Sequence, residues 1–203
     1  TDIQFLIREE LVKSQNIFNN IGSAAILMDI HSGEILSLVS LPDFNLNERK
    51  KIVDKRFINR ATKGIYEFGS VFKTFTLAAG IQYGVISPDT EFKDLKKKIY
   101  CANNTISEYD DKIPSDLTAE QILIRSGNIG SARIAEKIGI DNFSEFLKKI
   151  GILDFFEFDL QETGSTQIGN WGKCRLLTVA FGHGIATSLI QLTKAYAIIS
   201  NGG

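Results

Sequence analysis

The chain has 203 residues, of which 43% are hydrophobic and 23% charged, with a formal net charge of −1. That length and composition support one domain, or one and a half, with a substantial core, and they exclude a disordered chain. The near-neutral charge leaves no electrostatic footprint for nucleic acid or an anionic lipid surface, and no apolar run reaches the roughly eighteen residues needed to span a bilayer. The chain opens on Thr1 without a charged-then-apolar leader, so any targeting segment is expected to lie outside these residues.

In chain order, residues 2 to 18 place Phe5, Leu6, Leu11, Val12 and Phe18 near helical spacing, which predicts an amphipathic helix lying on a sheet. Residues 24–30 and 34–40 are rich in Ala, Ile, Leu and Val and flank His31-Ser32-Gly33, a β-hairpin pattern with His31 in its turn. Asp43 to Lys55 is polar and reads as loop with a short helix. A long helix is expected from Ser70 to about Tyr83, ended by Gly84 with Pro88 beyond. Residues 89–115 read as irregular, with the charged run Lys93 to Lys98 as a solvated surface. Thr118-Ala119-Glu120-Gln121 is a capping box opening a short helix through Ile124. Further helices are expected over 129–138, stopping at Gly139, over 141–150, ending at Gly151, and over 189–200, introduced by Gly182 and Gly184. The glycine-rich segment 156–174 reads as loop. Helices with a hairpin make this an α/β chain of the α+β type, helices packed on an antiparallel sheet, and no repeat or linker divides it.

Two cysteines, Cys101 and Cys174, could pair in an oxidising compartment, but sequence cannot bring their Cα atoms together, and the expectation is two separate thiols. No His, Cys, Asp or Glu cluster has metal-ligand spacing, so no metal or cofactor is expected. His183, between two glycines, reads as structural.

Chemistry concentrates in Tyr66-Glu67-Phe68-Gly69-Ser70-Val71-Phe72-Lys73. On a helix, positions i and i+3 share a face, so the Lys73 amine can sit beside the Ser70 hydroxyl. A lysine desolvated among Phe72, Phe75 and Leu77 can lose its proton and act as the base that a serine nucleophile needs. Alone, the tetrad favours the plainer reading, a helix start capped by Ser70 with Lys73 reaching solvent, and only the second motif and the surrounding blocks shift the balance. The second candidate, Ser126-Gly127-Asn128, sits at a junction between two helices, where Gly127 lets both polar side chains face one way. A hydroxyl there can relay a proton to a leaving amine, and an amide can orient lysine and substrate. Ser14-Gln15-Asn16 repeats the spacing but lies on the polar face of the first helix.

Carried by these blocks, the chain resembles the transpeptidase domain of class B penicillin-binding proteins, division- and elongation-type enzymes that crosslink peptidoglycan. Ala24-Ala25-Ile26-Leu27-Met28-Asp29 with Ser32-Gly33-Glu34-Ile35-Leu36 is similar to that family's first hairpin. Leu41-Pro42-Asp43-Phe44, Asn59-Arg60-Ala61 and Phe181-Gly182-His183-Gly184-Ile185 follow in the family's order, then Gln191-Leu192 through Ala195-Tyr196-Ala197 to Asn201-Gly202-Gly203. Phe68 stands where the family usually has proline, Val71 where it often has threonine, and His183 where tyrosine or glutamine is more usual. The family's third motif, Lys-Thr-Gly or Lys-Ser-Gly, is absent, which makes this the front part of such a domain, lacking the strands that complete its sheet.

The resemblance implies roles. Ser70 attacks the penultimate D-alanine of a D-Ala-D-Ala stem peptide, neutral Lys73 takes its proton, Ser126 passes a proton to the leaving amine, and Asn128 positions Lys73 and the peptide; Ser70, Ser126 and Asn128 also bind substrate. It implies peptidoglycan stem peptides and β-lactam antibiotics as ligands, a glycosyltransferase and other cell-wall proteins as partners, and an extracytoplasmic domain of a membrane-anchored parent. Without the third motif, half the oxyanion hole and the carboxylate site would be missing, so these 203 residues alone are expected to be catalytically impaired. A serine β-lactamase or β-lactam sensor, and a cell-wall scaffold without activity, remain as alternatives. The first hairpin and helix are expected to leave apolar surface that something else must cover.

Overall fold

The computed structural model describes residues 2–45, 47, 57–102, 104–154, 159–160 and 162–203. Its chain divides into two compact units, and the chain passes between them more than once: residues 1–66, 150–166 and 187–203 form the first, 67–149 and 167–186 the second.

In the first unit, α1 (Asp2–Phe18) is followed by β1 (Ser23–Met28) and β2 (Ile35–Leu41), paired antiparallel from Ser23↔Leu41 to Met28↔Ile35, with an irregularity at Leu27/Met28. The turn forms because the Asp29 carboxylate accepts the N–H groups of His31 (2.9 Å) and Ser32 (2.7 Å), while Gly33 takes the left-handed φ of 75°. Gln4 on α1 covers β2 as a neighbouring strand would. Its carboxamide donates to the Leu38 carbonyl at 2.7 Å and accepts the Leu38 N–H at 3.0 Å. Even so, no residue of α1 is buried, and Phe5 and Phe18 are 61% and 74% exposed. The expected helix-on-hairpin packing is present, and so is the uncovered apolar surface.

The unit closes through α7 (Leu189–Ser200), which lies against β1. Ser188 caps it by accepting the Gln191 N–H. Gln191 is fully buried and spends its whole carboxamide: the oxygen accepts from Ser188 Oγ (3.0 Å) and Thr187 Oγ1 (3.2 Å), and Nε2 donates to the Asp154 carbonyl (3.1 Å). β3 (Ile65–Tyr66) pairs with Ser188 and Thr187 of β9 (Ile185–Ser188).

The second unit is mainly helical. A 3₁₀ turn, Gly69–Phe72, runs straight into α2 (Lys73–Gln82), so the expected helix starts as one tight turn, with Lys73 N–H on the Ser70 carbonyl. Being apolar on most faces, α2 buries Phe75, Thr76, Leu77 and Ala79 and packs against α4 (Asn128–Ile138) and α5 (Ile140–Lys149). Gly80 permits the approach: a Cβ there would lie 2.8 Å from Ile86 and 3.2 Å from Ile134. α3 (Ala119–Ile124) starts with the full capping box, Thr118 Oγ1 accepting the Gln121 N–H and Gln121 Oε1 the Thr118 N–H. α6 (Lys173–Val179) packs on α4.

Several expectations change here. Residues 89–115 are not irregular: β4 (Glu91–Phe92) pairs with β7 (Leu117–Thr118), and β5 (Lys98–Cys101) with β6 (Asn104–Ser107), the register running from Lys98↔Ser107 to Cys101↔Asn104. The 156–174 loop contains β8 (Gln167–Ile168), paired with Ala186 and Ile185, and the first residues of α6; 155–158 and 161 lie outside the described residues. β9 stands between Gly184 and the last helix. The helix suggested within 43–55 falls largely on 46 and 48–56, also outside them. The cysteines are joined: Cys101, at the end of β5, bonds Cys174, at the start of α6, with Cα atoms 5.5 Å apart across a sequence separation of 73. The expectation of free thiols fails because the hairpin and helix, distant in sequence, meet at that point.

Candidate active site

All four sequence candidates belong to the second unit. Ser70 is the second residue of the 3₁₀ turn and is exposed. The preceding Gly69 has φ 59°, and its N–H donates to the Gly182 carbonyl at 3.3 Å. Gly182 must be glycine, because a Cβ would fall 2.1 Å from the Gly69 oxygen. Residue 182 therefore fixes the backbone before Ser70.

Lys73, one 3₁₀ turn on, is fully buried. Its Nζ donates to the Ser126 carbonyl (2.5 Å), Ser126 Oγ (2.9 Å) and Asn128 Oδ1 (2.8 Å), which uses all three ammonium hydrogens. Burial lowers its pKa from 10.5 to about 8, with the negative charge of Glu108 pulling the other way. The sequence suggested the amine beside the Ser70 hydroxyl. In the structure the amine is held by Ser126 and Asn128, and among the described residues the Ser70 hydroxyl makes no hydrogen bond.

The α3–α4 junction explains that grip. Ser126 adopts φ 52°, a left-handed conformation that costs a non-glycine residue free energy and so must be held by its surroundings. Its N–H donates to the Leu123 carbonyl, the Gly127 N–H to that of Ile122, and the Ser131 hydroxyl back to Gly127. The result aims both the carbonyl and the hydroxyl of Ser126 at Nζ. Asn128 is fixed from its far side, Nδ2 donating to the Ser107 carbonyl at 3.0 Å.

Glu108 was not among the sequence candidates. Its carboxylate accepts the N–H groups of Asn128 (2.6 Å) and Ile129 (3.0 Å), capping α4 from a distance. The cap residue itself, Gly127, has no side chain to do so. An empty cap was the available signal, but nothing local points to residue 108. Ser14-Gln15-Asn16 lies within α1 in the other unit, not at a junction. His183 pairs through Nδ1 with Glu67 at 2.9 Å, and the same carboxylate accepts the Gly184 N–H at 2.9 Å. Among the described residues, no group of three or more His, Cys, Asp or Glu could hold a metal, and no helix is long and apolar enough to cross a membrane.

A buried amine of depressed pKa one turn from an exposed serine, ringed by a hydroxyl and an amide, is equipped for nucleophilic acyl transfer. Residues 23–203 match the penicillin binding protein transpeptidase domain. The chain belongs to this family. Among the curated relatives of this transpeptidase domain, a probable peptidoglycan D,D-transpeptidase FtsI of Caulobacter vibrioides is 30% identical over 202 residues, covering 99% of this chain and 34% of the relative. The probable peptidoglycan D,D-transpeptidase PenA of Neisseria flavescens is 28% identical over 204 residues, covering 99% and 50%. The chain thus spans between a third and a half of the length of these relatives. The fold agrees: the transpeptidase domain of penicillin-binding protein 3 from Burkholderia pseudomallei superposes with a TM-score of 0.84 at 23% identity, over 98% of this chain and 56% of that one.

Proposed function

We propose that the protein carrying this domain is a peptidoglycan D,D-transpeptidase, with Ser70 as nucleophile, Lys73 as base, Ser126 as proton relay and Asn128 as the group that orients Lys73 and the substrate amide. The observation that carries this reading is the buried Lys73 amine, held by Ser126 and Asn128 one turn from Ser70. With a pKa of about 8, roughly one Lys73 in ten is neutral at pH 7. A neutral amine has two hydrogens and a lone pair, so it can keep two of its three bonds and accept the Ser70 proton with the third position.

Ser70 Oγ then bonds to the carbonyl carbon of the penultimate D-alanine, and its proton passes to Lys73. The C–N bond breaks, and the departing D-alanine amine takes a proton from Ser126, which Lys73 replenishes. The amine of a second stem peptide attacks the serine ester; the C–O bond breaks, the proton returns to Ser70 by the same relay, and the crosslink is made. A β-lactam acylates Ser70 identically but keeps its leaving group tethered, so the ester persists. No step calls for a cofactor.

Family membership supports peptidoglycan and β-lactams as ligands, and this reading adds stem peptides as the reacting part and a glycosyltransferase with other cell-wall proteins as partners. An extracytoplasmic location has independent support in the Cys101–Cys174 disulfide, since such bonds persist in oxidising compartments. The test is labelling of the whole protein with a fluorescent penicillin. Wild type should acquire one label at Ser70, and Ser70→Ala none; equal labelling of that variant would sink the reading.

A further inference from the structure

On its C-terminal side Ser70 is held by its own helix, through the Lys73 N–H on its carbonyl. Upstream, its backbone leans on a second segment, residues 180–184, which follows α6. That segment is fixed by its neighbours. The Phe181 and His183 N–H groups donate to the Thr178 carbonyl, the Gly182 N–H donates to that of Val179, and the buried Thr76 hydroxyl of α2 donates to the Ala180 carbonyl at 2.8 Å.

Residues 67–69 dock on this support at three points. The Gly69 N–H donates to the Gly182 carbonyl (3.3 Å), the Gly184 N–H donates to Glu67 Oε1 (2.9 Å), and His183 Nδ1 lies 2.9 Å from Glu67 Oε2. Each carboxylate oxygen therefore has a partner, and the two partners are adjacent residues. The backbone so joined has little stiffness of its own. Gly69, Gly182 and Gly184 take left-handed φ values of 59°, 76° and 77°, and Phe68 is no proline, so its φ of −85° is set from outside. Arg175 steadies the far side of Gly184 by donating to its carbonyl at 2.8 Å.

We propose that Glu67 and His183 are positioning residues for Ser70, a latch that seats the turn before the nucleophile on the 182–184 loop and closes more tightly when the imidazole is protonated. The proposal rests on the reading of Ser70 as nucleophile. Imidazole is the side chain whose charge ordinarily changes between about pH 5 and 8, and a positive charge on a donor facing a carboxylate strengthens the bond. Among the described residues, the charged groups facing His183 are Glu67, at hydrogen-bonding distance, and Lys173 and Arg175 of α6, which line one cavity with it. Of these, Glu67 is the anion. The side chains of His183 and Glu67 are 68% and 44% exposed, so the latch is weak and can open within the folded protein.

The test is acylation of the whole protein by a fluorescent penicillin over a range of concentrations, which separates initial affinity from the first-order rate at Ser70. Wild type, His183→Gln and Glu67→Ala are compared. Neutralisation of Lys73 raises the rate with pH in all three, so the ratio of their rates isolates the latch. Wild type should acylate about two- to fivefold faster than His183→Gln at about pH 5.5, the range expected of an exposed ion pair, and at nearly the same rate at about pH 8.5. Glu67→Ala also loses the Gly184 bond and should be slower than His183→Gln by about tenfold at both pH values. Initial affinity and the final extent of labelling should match wild type in both variants.

A wild-type to His183→Gln ratio that does not change with pH, or a loss confined to initial affinity, overturns the latch. Hydrogen exchange read by mass spectrometry supplies a measure independent of acylation. Peptides covering residues 67–72 and 181–186 should exchange faster together in Glu67→Ala, and in His183→Gln at about pH 5.5; unchanged exchange overturns the latch as well. Coupled exchange in a wild-type protein that takes no penicillin would instead count against the nucleophile reading and leave the docking of the two segments standing.

Discussion

The two units use apolar residues differently. In the second, Phe72, Phe75, Ile129, Ile134, Phe143, Leu147 and Leu177 are buried almost completely. In the first, α1 carries a comparable apolar pattern, yet Phe5, Leu6, Ile17 and Phe18 remain largely exposed, Ile7, Leu11 and Val12 are only half-buried, and Gln4 hydrogen-bonds the helix to β2. The difference shows where precision is needed. The four candidate residues all hang on the closely packed helices, where a shift at α2 or α4 would move Lys73 away from Ser126.

The largest effect expected from breaking that arrangement is chemical. Lys73→Met should slow penicillin acylation by about 10³-fold or more, near the upper range for loss of a positioned base, as read from second-order labelling rates. Next comes packing: Ile134→Ala, at a position with no exposure, should cost about 2–5 kcal/mol in urea unfolding. Opening the disulfide with Cys101→Ser should cost about 2–4 kcal/mol, visible as a lower melting temperature that reductant no longer changes.

Glu108→Gln is a finer probe. It removes the charge that raises the Lys73 pKa and weakens the cap on α4. In wild type the labelling rate should rise with pH through about 8 as the amine becomes neutral, and in the variant that rise should move to lower pH. The linked effect on stability has a definite sign. Lys73 binds its proton less tightly folded than unfolded, so its contribution to stability should increase with pH between about 8 and 10.5. Smallest of all, Phe5→Ala on exposed α1 should change stability by no more than about 0.5 kcal/mol. A loss as large as that of Ile134→Ala would erase the contrast between the units.

Elements with strong local signals were legible in sequence. The first and last helices, the Asp29–Gly33 hairpin turn and the Thr118 capping box all appear where caps, glycines and periodicity put them. The short strands were not, because two to four residues such as Glu91–Phe92 or Gln167–Ile168 carry no period and are strands only through a partner. The alternation in Lys98-Ile99-Tyr100-Cys101 was there to be read, but the adjoining lysine run disguised it. At the site, residue types and spacings singled out Ser70, Lys73, Ser126 and Asn128. Glu108 and the Cys101–Cys174 bond depend on long-range approach, which no local pattern encodes.

The interleaving of the two units has a consequence for biosynthesis. β1 and β2 leave the ribosome ahead of the second unit, but α7, which lies against β1, is made about 150 residues later, after the whole of the second unit. At a typical 5–20 residues per second, the young hairpin waits on the order of ten seconds with its sticky face unshielded. During that interval a holdase chaperone, or the neighbouring nascent chain, competes for the surface that α7 will eventually cover.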